Sequence, residues 1–153
     1  MAIFLAPVPI VHVQSMFEDL KRGFKLFAFG SSAADFFDRT ISPRCEAENI
    51  TAYIYVSKSG EEHLPPTADK QLGVFIKGRL CGWRMADDRC QYPPDGLAHR
   101  PATTSQDKLM TCFWEIDSVE RLPNRKPISD FISATTKKAY GNSFIPQGPL
   151  WVK

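Results

Sequence analysis

The stretch NITAYIYVS, residues 49–57, is the strongest indication of fold class in this chain because apolar and polar side chains alternate along it. Positions 50, 52, 54 and 56 carry Ile, Ala, Ile and Val, and the positions between them carry Thr51, Tyr53, Tyr55 and Ser57. A period of two is typical of a strand that buries one face. The stretch therefore predicts a β-strand that presents two tyrosines and a serine on its other face.

Two other stretches predict long strands of the same sheet. The apolar run at residues 72–77 continues past Gly78 to position 85, and residues 109–119 also alternate. Gly78 and Gly82 predict bends or bulges in a curled sheet. Shorter strands are expected at residues 1–13, 25–29 and 150–152.

Helix signals occur at three places. Ser15 and Glu18 have the spacing of a capping box and Gly23 can supply a left-handed stop, which predicts a helix over residues 16–22. A second helix is expected to begin at Ala33. A third is expected over residues 128–140, which lie between a proline and a glycine and end in two lysines.

The order of these elements predicts an α+β fold. Five or six strands and two or three short helices do not alternate regularly, which argues against a doubly wound parallel sheet. The glycine-marked bends favour a small curled β-sheet or open pseudo-barrel with the helices packed outside. We expect a single domain over residues 1–153.

Composition limits the classes of function. With 43% apolar and 24% charged residues, the 153-residue chain can bury a core and lacks the bias of disordered sequences. A formal net charge of +2 is too small to attract polyanions over the whole surface, so nucleic-acid binding would depend on a local patch.

The cysteines and the N-terminal residues bear on the compartment. The four cysteines are spaced too widely for a paired zinc motif or a dense disulfide framework, and three scattered histidines add no ligand spacing. The apolar residues 1–13 lack a basic leader and are too short to cross a bilayer. We therefore expect a cytoplasmic protein with reduced thiols, no metal, no cofactor and no membrane contact.

Several blocks occur in an order that resembles the PUA-like superfamily, which includes the EVE, ASCH and YTH domains. The block FEDLKRGFK, residues 17–25, is similar to the opening helix of ASCH domains, which ends in Gly and is followed by Lys. The other blocks are similar to two EVE strands, a proline-bearing loop, and a strand that leads into a helix; they are residues 53–57, 72–82, 92–95, 113–119 and 122–131.

This resemblance implies a pseudo-barrel with a pocket for a base or nucleoside. The superfamily uses such pockets to bind RNA, to read modified bases and, in some ASCH proteins, for hydrolysis. The chain departs from these patterns in two respects: it has no acidic residue at the position that would complete an ASCH hydrolase, and its tryptophans are not spaced like a YTH cage.

The candidate ligand-binding residues combine hydroxyl, aromatic and basic side chains, which are the groups that stack on a base and hydrogen-bond to it. Glycine and serines at residues 30–32 could hold a phosphate where a strand enters a helix, although Ser32 could equally be a helix cap. Every aromatic has core packing as its alternative, and Trp114 and Trp151 are assigned to the core. The candidates are Lys25, Ser31, Tyr55, Ser57, Trp83 and Arg84.

Further basic residues flank these candidates. In the binding-module hypothesis, Arg22, Lys77 and Arg79 are expected to contact phosphates while the aromatic side chains stack on the base. For Lys25, the alternative is a solvated lysine at the edge of a strand, because lysines are mostly exposed.

Two other functions use the same residues differently. In an ASCH-like hydrolase of RNA or a modified nucleoside, Lys25 would be a base or an electrostatic catalyst, with Glu115 or Asp117 as the acid. In a protein-interaction domain, the polar connection at residues 87–108 and the segment 144–151 would dock a partner. The residues favour a binding module and leave the question of catalysis open.

Overall fold

The computed structural model describes residues 3–45, 49–67, 71–106 and 109–153. The strands are β1 (Ile3–Pro9), β2 (Phe27–Ser31), β3 (Ile50–Ser57), β4 (Gly73–Met85), β5 (Cys112–Lys126) and β6 (Leu150–Val152). The helices are α1 (Ile10–Lys21), α2 (Ala34–Phe36) and α3 (Ser42–Cys45), and a π-helical turn at Phe37–Ile41 joins α2 to α3. Short 3-10 turns lie at Glu61–His63, Ala102–Gln106 and Ile128–Asp130.

The strands form one mixed, open sheet in the order β2-β5-β4-β3-β1-β6. Strands β1 and β3 are parallel, and every other neighbouring pair is antiparallel. The helices pack outside this sheet. The α+β fold with an open sheet is therefore confirmed.

The two faces of the sheet have separate cores. On the first face, which we call the helical face, Phe4, Ile54 and Trp114 pack with residues of α1 and of the α2–α3 segment. On the second face, Leu5 and other strand residues pack against side chains of the segment that follows β5. The alternation predicted for residues 49–57 is confirmed, because every second side chain of β3 is buried on the helical face.

The glycines of β4 lie where the strand is irregular. The register with β5 shifts between Lys77 and Arg79 and again between Leu80 and Gly82, so the predicted bulges are present. A Cβ on Gly78 would lie 2.7 Å from the Ile116 side chain and 2.8 Å from the Asp117 carbonyl oxygen. Glycine is thus required at this position for close packing of β4 on β5.

The prediction for the first helix was wrong at its beginning. Helix α1 starts at Ile10 directly after the last β1 residue, so Ser15 is a buried residue within the helix and not its cap. Ile10, Val13 and Met16 bury one face of this helix on the sheet. Because burial of this apolar stripe stabilises the helix more than a cap would, packing set the boundary. The predicted left-handed stop at Gly23 is present, with φ of 102°.

The third predicted helix was also wrong. Beyond the turn at Ile128–Asp130, the chain forms a tight hairpin in which Ile132 bridges to Ala139, and Ser133 bridges to Val152 of β6. The Ser133 Oγ accepts the amides of Thr135 and Thr136 at 3.2 and 3.1 Å. Serine and threonine side chains compete for backbone groups in this way and favour turns over helix. Pairing with β6 then makes the hairpin part of the sheet.

The connection between β4 and β5 packs along the outer edge of β2. The His99 amide donates to the Leu26 carbonyl at 2.8 Å, and the Ala28 amide donates to the His99 carbonyl at 3.1 Å. The His99 ring stacks on Phe24 and its Nε2 lies 2.9 Å from the buried Asp19 carboxylate. These two backbone hydrogen bonds cover part of the free edge of β2. The covered edge has fewer unpaired backbone groups with which a strand of another chain could pair.

Candidate ligand-binding site

A groove of about 600 Å³ lies at the ends of β1 and β3. The register of these parallel strands places Pro7 beside Tyr55 and Pro9 beside Ser57. The rest of its lining is mainly apolar, apart from Lys58, Ser59 and Gln147; it includes Val56, Leu72, Ile145 and Pro146. We call this space the tyrosine groove.

A second, smaller recess of about 250 Å³ lies at the end of β2. Ser31 is held there because its Oγ accepts the Ala33 amide at 3.1 Å and its carbonyl accepts the Thr111 amide at 3.2 Å. Trp114 and Met110 supply apolar walls; Ala6, Gly30, Ser32, Gly148 and Pro149 complete the lining. We call this space the serine recess.

The tyrosine groove and the serine recess adjoin each other. Pro7 and Gln147 line both of them. Three of the six predicted ligand residues, Ser31, Tyr55 and Ser57, therefore line two adjoining spaces beside β1. Sequence analysis did not identify Pro7, Met110 or Gln147 as lining residues. The pairing of β1 with β3, the pairing of β2 with β5 and the return of the chain before β6 bring them here.

Trp83 is not part of either space. Its Nε1 donates to Ser42 Oγ at 2.8 Å, and its ring lies 5.8 Å from the ring of Phe37. The side chain is half-buried against the core of the helical face. Trp83 thus braces the α2–α3 segment on the sheet, and the predicted stacking face is used within the protein.

Arg84 follows Trp83 on β4 and belongs to a cluster on the other face of the sheet, opposite to the helical face. Its Nε lies 3.5 Å from Glu115 and its Nη1 lies 3.8 Å from Asp95. The Tyr92 hydroxyl donates to Glu115. Burial is the main cause that raises the pKa of Tyr92, and this hydrogen bond raises it further. Both Arg84 and Glu115 are therefore engaged in holding the connection that contains Tyr92.

The remaining predicted cations also lie outside the two spaces. Arg22 lies 3.3 Å from Asp19, and Lys25 is exposed in the turn before β2, which begins two residues later than predicted. Lys77 and Arg79 line a separate recess of about 370 Å³ beside β3. Lys58 is the cation that borders the tyrosine groove.

Arg79 and Asp117 form a bidentate ion pair on adjacent strands. The Arg79 Nε and Nη2 donate to the two carboxylate oxygens at 2.9 and 2.6 Å. These hydrogen bonds lower the pKa of Asp117 and raise the pKa of Arg79. Burial and the nearby Asp117 carboxylate raise the pKa of the Cys81 thiol to about 11. Arg79 and Asp117 are thus partners of each other, which weakens their predicted roles in phosphate binding and acid catalysis.

The Asp117→Asn variant is expected to lose less free energy of unfolding than the parent protein when the pH is lowered. The pKa of Asp117 is lowered in the folded state, so the carboxylate stabilises the fold above its unfolded pKa and this contribution disappears as the pH falls through the folded pKa. The parent should therefore lose more stability than Asp117→Asn below about pH 4.

Urea midpoints measured between pH 7 and pH 2 will show this difference. Asp95→Asn is the matched control, because Asp95 also lies beside an arginine, Arg84, but is exposed and 3.8 Å away from it. The urea midpoints of this control should follow those of the parent protein across the pH range. If the acid dependence of Asp117→Asn also runs parallel, the ion pair contributes nothing measurable.

Within the described ranges, no three His, Cys, Asp or Glu side chains are grouped so that they could hold a metal ion. The four cysteines, all of which are described, form no disulfide. None of the described helices is both long and apolar enough to cross a membrane.

Comparison with known proteins adds no relative. No protein-family model, curated protein or solved structure matches the chain.

Proposed function

We propose that this protein binds a nucleobase or nucleoside, either free or within a nucleic acid such as RNA, in the tyrosine groove and the adjoining serine recess. The observation that supports the proposal is that Tyr55 and Ser57 line the tyrosine groove, and that Ser31 lines the serine recess beside it. Spacing along the sequence places the first two on one strand face, and tertiary structure adds the third.

The groove offers the chemistry that a base requires. Tyr55 is half-buried, and the strand register places it between Pro7 and Val74. Stacking on an aromatic side chain contributes about 1–3 kcal/mol per base. The Ser57 hydroxyl can donate or accept a hydrogen bond, and the Lys58 ammonium can contact a phosphate.

Tyr55→Ala is expected to weaken binding of nucleosides and short oligonucleotides by tenfold or more, because about 1–3 kcal/mol of stacking is lost. Tyr55→Phe keeps the aromatic face and should bind nearly as tightly as the parent. Titration of intrinsic fluorescence with single nucleosides and with homopolymeric oligonucleotides measures the affinities, and melting curves show that each variant is folded.

Two results would count against this proposal. Equal affinities for folded Tyr55→Ala and the parent would show that the ligand does not stack on Tyr55. Conversion of a nucleoside or RNA to a product, seen by mass spectrometry of the mixture, would favour the hydrolase hypothesis, and Lys25→Ala would then test whether that lysine takes part.

A further inference from the structure

Arg125 lies against the first residue of β4. A Cβ on Gly73 would lie 2.7 Å from Arg125 Nε and 3.3 Å from its Cζ, so the guanidinium occupies the space that a side chain would need there. Gly73 also has φ of 104°, a backbone conformation that residues with a side chain rarely adopt. Glycine at position 73 therefore both permits this conformation and leaves room for the Arg125 guanidinium.

This position brings the guanidinium beside the tyrosine groove. Gly73 pairs with Val56 on β3 and follows Leu72 in the chain, and both Val56 and Leu72 line the groove. Lys58, two residues after Val56, lines the same groove. Arg125 and Lys58 therefore approach the groove at the same end of the sheet, one from β5 and the other from the residue that follows β3.

The charge of Arg125 can act on a ligand. Its side chain is exposed and, among the residues that the structure describes, forms no ion pair. The neighbouring Lys126 lies 3.9 Å from Asp130, and Lys58 lines a further recess together with two glutamates, so both lysines have acidic groups nearby. An arginine presents two parallel N–H donors, which match two oxygens of a phosphate. This position thus favours an anionic group of a ligand.

We propose that Arg125, with Lys58, holds a phosphate group of the ligand, and that the protein binds nucleotides and single-stranded nucleic acid more tightly than free nucleosides. This inference rests on the proposed function, which places the base on Tyr55. The strand register connects the two positions, because Val74 pairs with Tyr55 on one side and with Lys126 on the other. Two strand spacings are about 10 Å, and the long Arg125 side chain shortens the gap that one nucleotide must bridge.

Arg125→Gln is expected to weaken binding of a nucleoside 5′-monophosphate by about tenfold and to leave affinity for the nucleoside unchanged, because only the monophosphate makes charge-assisted hydrogen bonds to the guanidinium. Arg125→Lys keeps the charge without the paired donors, so its affinity should lie between those of the parent and Arg125→Gln. Arg39→Gln is the matched control, because Arg39 is an exposed arginine of the π-helical turn and lines neither space. Calorimetry measures the affinities, and melting curves show that each variant is folded.

Salt dependence supplies an independent readout. For a short single-stranded oligonucleotide, each neutralised phosphate contributes about 0.7 to the slope of log affinity against log salt concentration. Arg125→Gln should reduce the slope by about this amount, and Arg39→Gln should leave the slope of the parent unchanged. Equal slopes for these two variants would show that Arg125 acts no differently from another surface charge, and would overturn the inference.

Ribose 5-phosphate, which has no base, separates this inference from the proposed function. If it binds, Arg125→Gln weakens it and no nucleoside binds, the phosphate site stands and the base site in the tyrosine groove fails. If nucleosides bind but their monophosphates bind no more tightly, or Arg125→Gln weakens both alike, the inference is overturned and the proposed function stands. If no nucleoside, monophosphate or ribose 5-phosphate binds, both are overturned.

Discussion

Phe4→Ala is expected to lower the free energy of unfolding by about 3–5 kcal/mol, the cost of removing a large aromatic side chain from a packed core. Phe4 is fully buried on β1. Its ring lies 5.1 Å from Trp114 on β5 and 5.8 Å from Phe37 on the helical segment. The ring therefore joins strands near opposite ends of the sheet to the helices that cover it.

Urea unfolding followed by far-UV circular dichroism measures this loss. Phe24→Ala is the matched control, because Phe24 is exposed in the turn before β2 and stacks on His99; its loss should be about 1 kcal/mol. A loss for Phe4→Ala no larger than that of the control would show that the core on the helical face is not packed as described.

Trp83→Ala is expected to lower the free energy of unfolding by about 3 kcal/mol and to leave nucleoside affinity unchanged. The first effect follows from the loss of a half-buried indole that packs beside Phe37 and donates to Ser42. The second follows because Trp83 lines neither the tyrosine groove nor the serine recess.

Trp83→Phe separates the two contributions of this side chain. It keeps most of the packing and removes the hydrogen bond to Ser42, so its loss should be about 1 kcal/mol. Calorimetric binding of nucleosides at a temperature where all three proteins are folded completes the comparison. A stable Trp83→Ala variant that binds nucleosides tenfold more weakly would restore the stacking role predicted from the sequence.

Local sequence pattern was sufficient for the strands. The alternation at residues 49–57 specifies strand and buried face together, because a shift of one residue would move every apolar side chain to the other face. The same reasoning placed Trp114 in the core, where it is 2% exposed. The irregularities predicted at Gly78 and Gly82 followed from glycine, and at Gly78 no other residue permits so close an approach of β4 and β5.

Local pattern was not sufficient for the helix boundaries. The apolar residues of β1 and of the first turns of α1 are continuous in sequence, so hydrophobicity does not mark the change from strand to helix at Pro9 and Ile10. Ser15 and Glu18 carry a capping pattern, yet packing on the sheet extended the helix past them. At residues 128–140, pairing with β6 overrode the helical spacing. The sequence of this segment cannot indicate that pairing, because β6 lies beyond position 149.

For the candidate site, the sequence by itself determined that Tyr55 and Ser57 share one face of one strand, because side chains alternate strictly along extended backbone. Only the tertiary structure decided which predicted residues meet. The parallel pairing of β1 with β3 brings Pro7 to Tyr55, and the return of the chain toward β6 brings Gln147 to both spaces. The same packing turned Trp83 toward Ser42 and paired Arg79 with Asp117. These contacts join residues far apart in sequence, and their free energy comes from burial and pairing that no single segment contains.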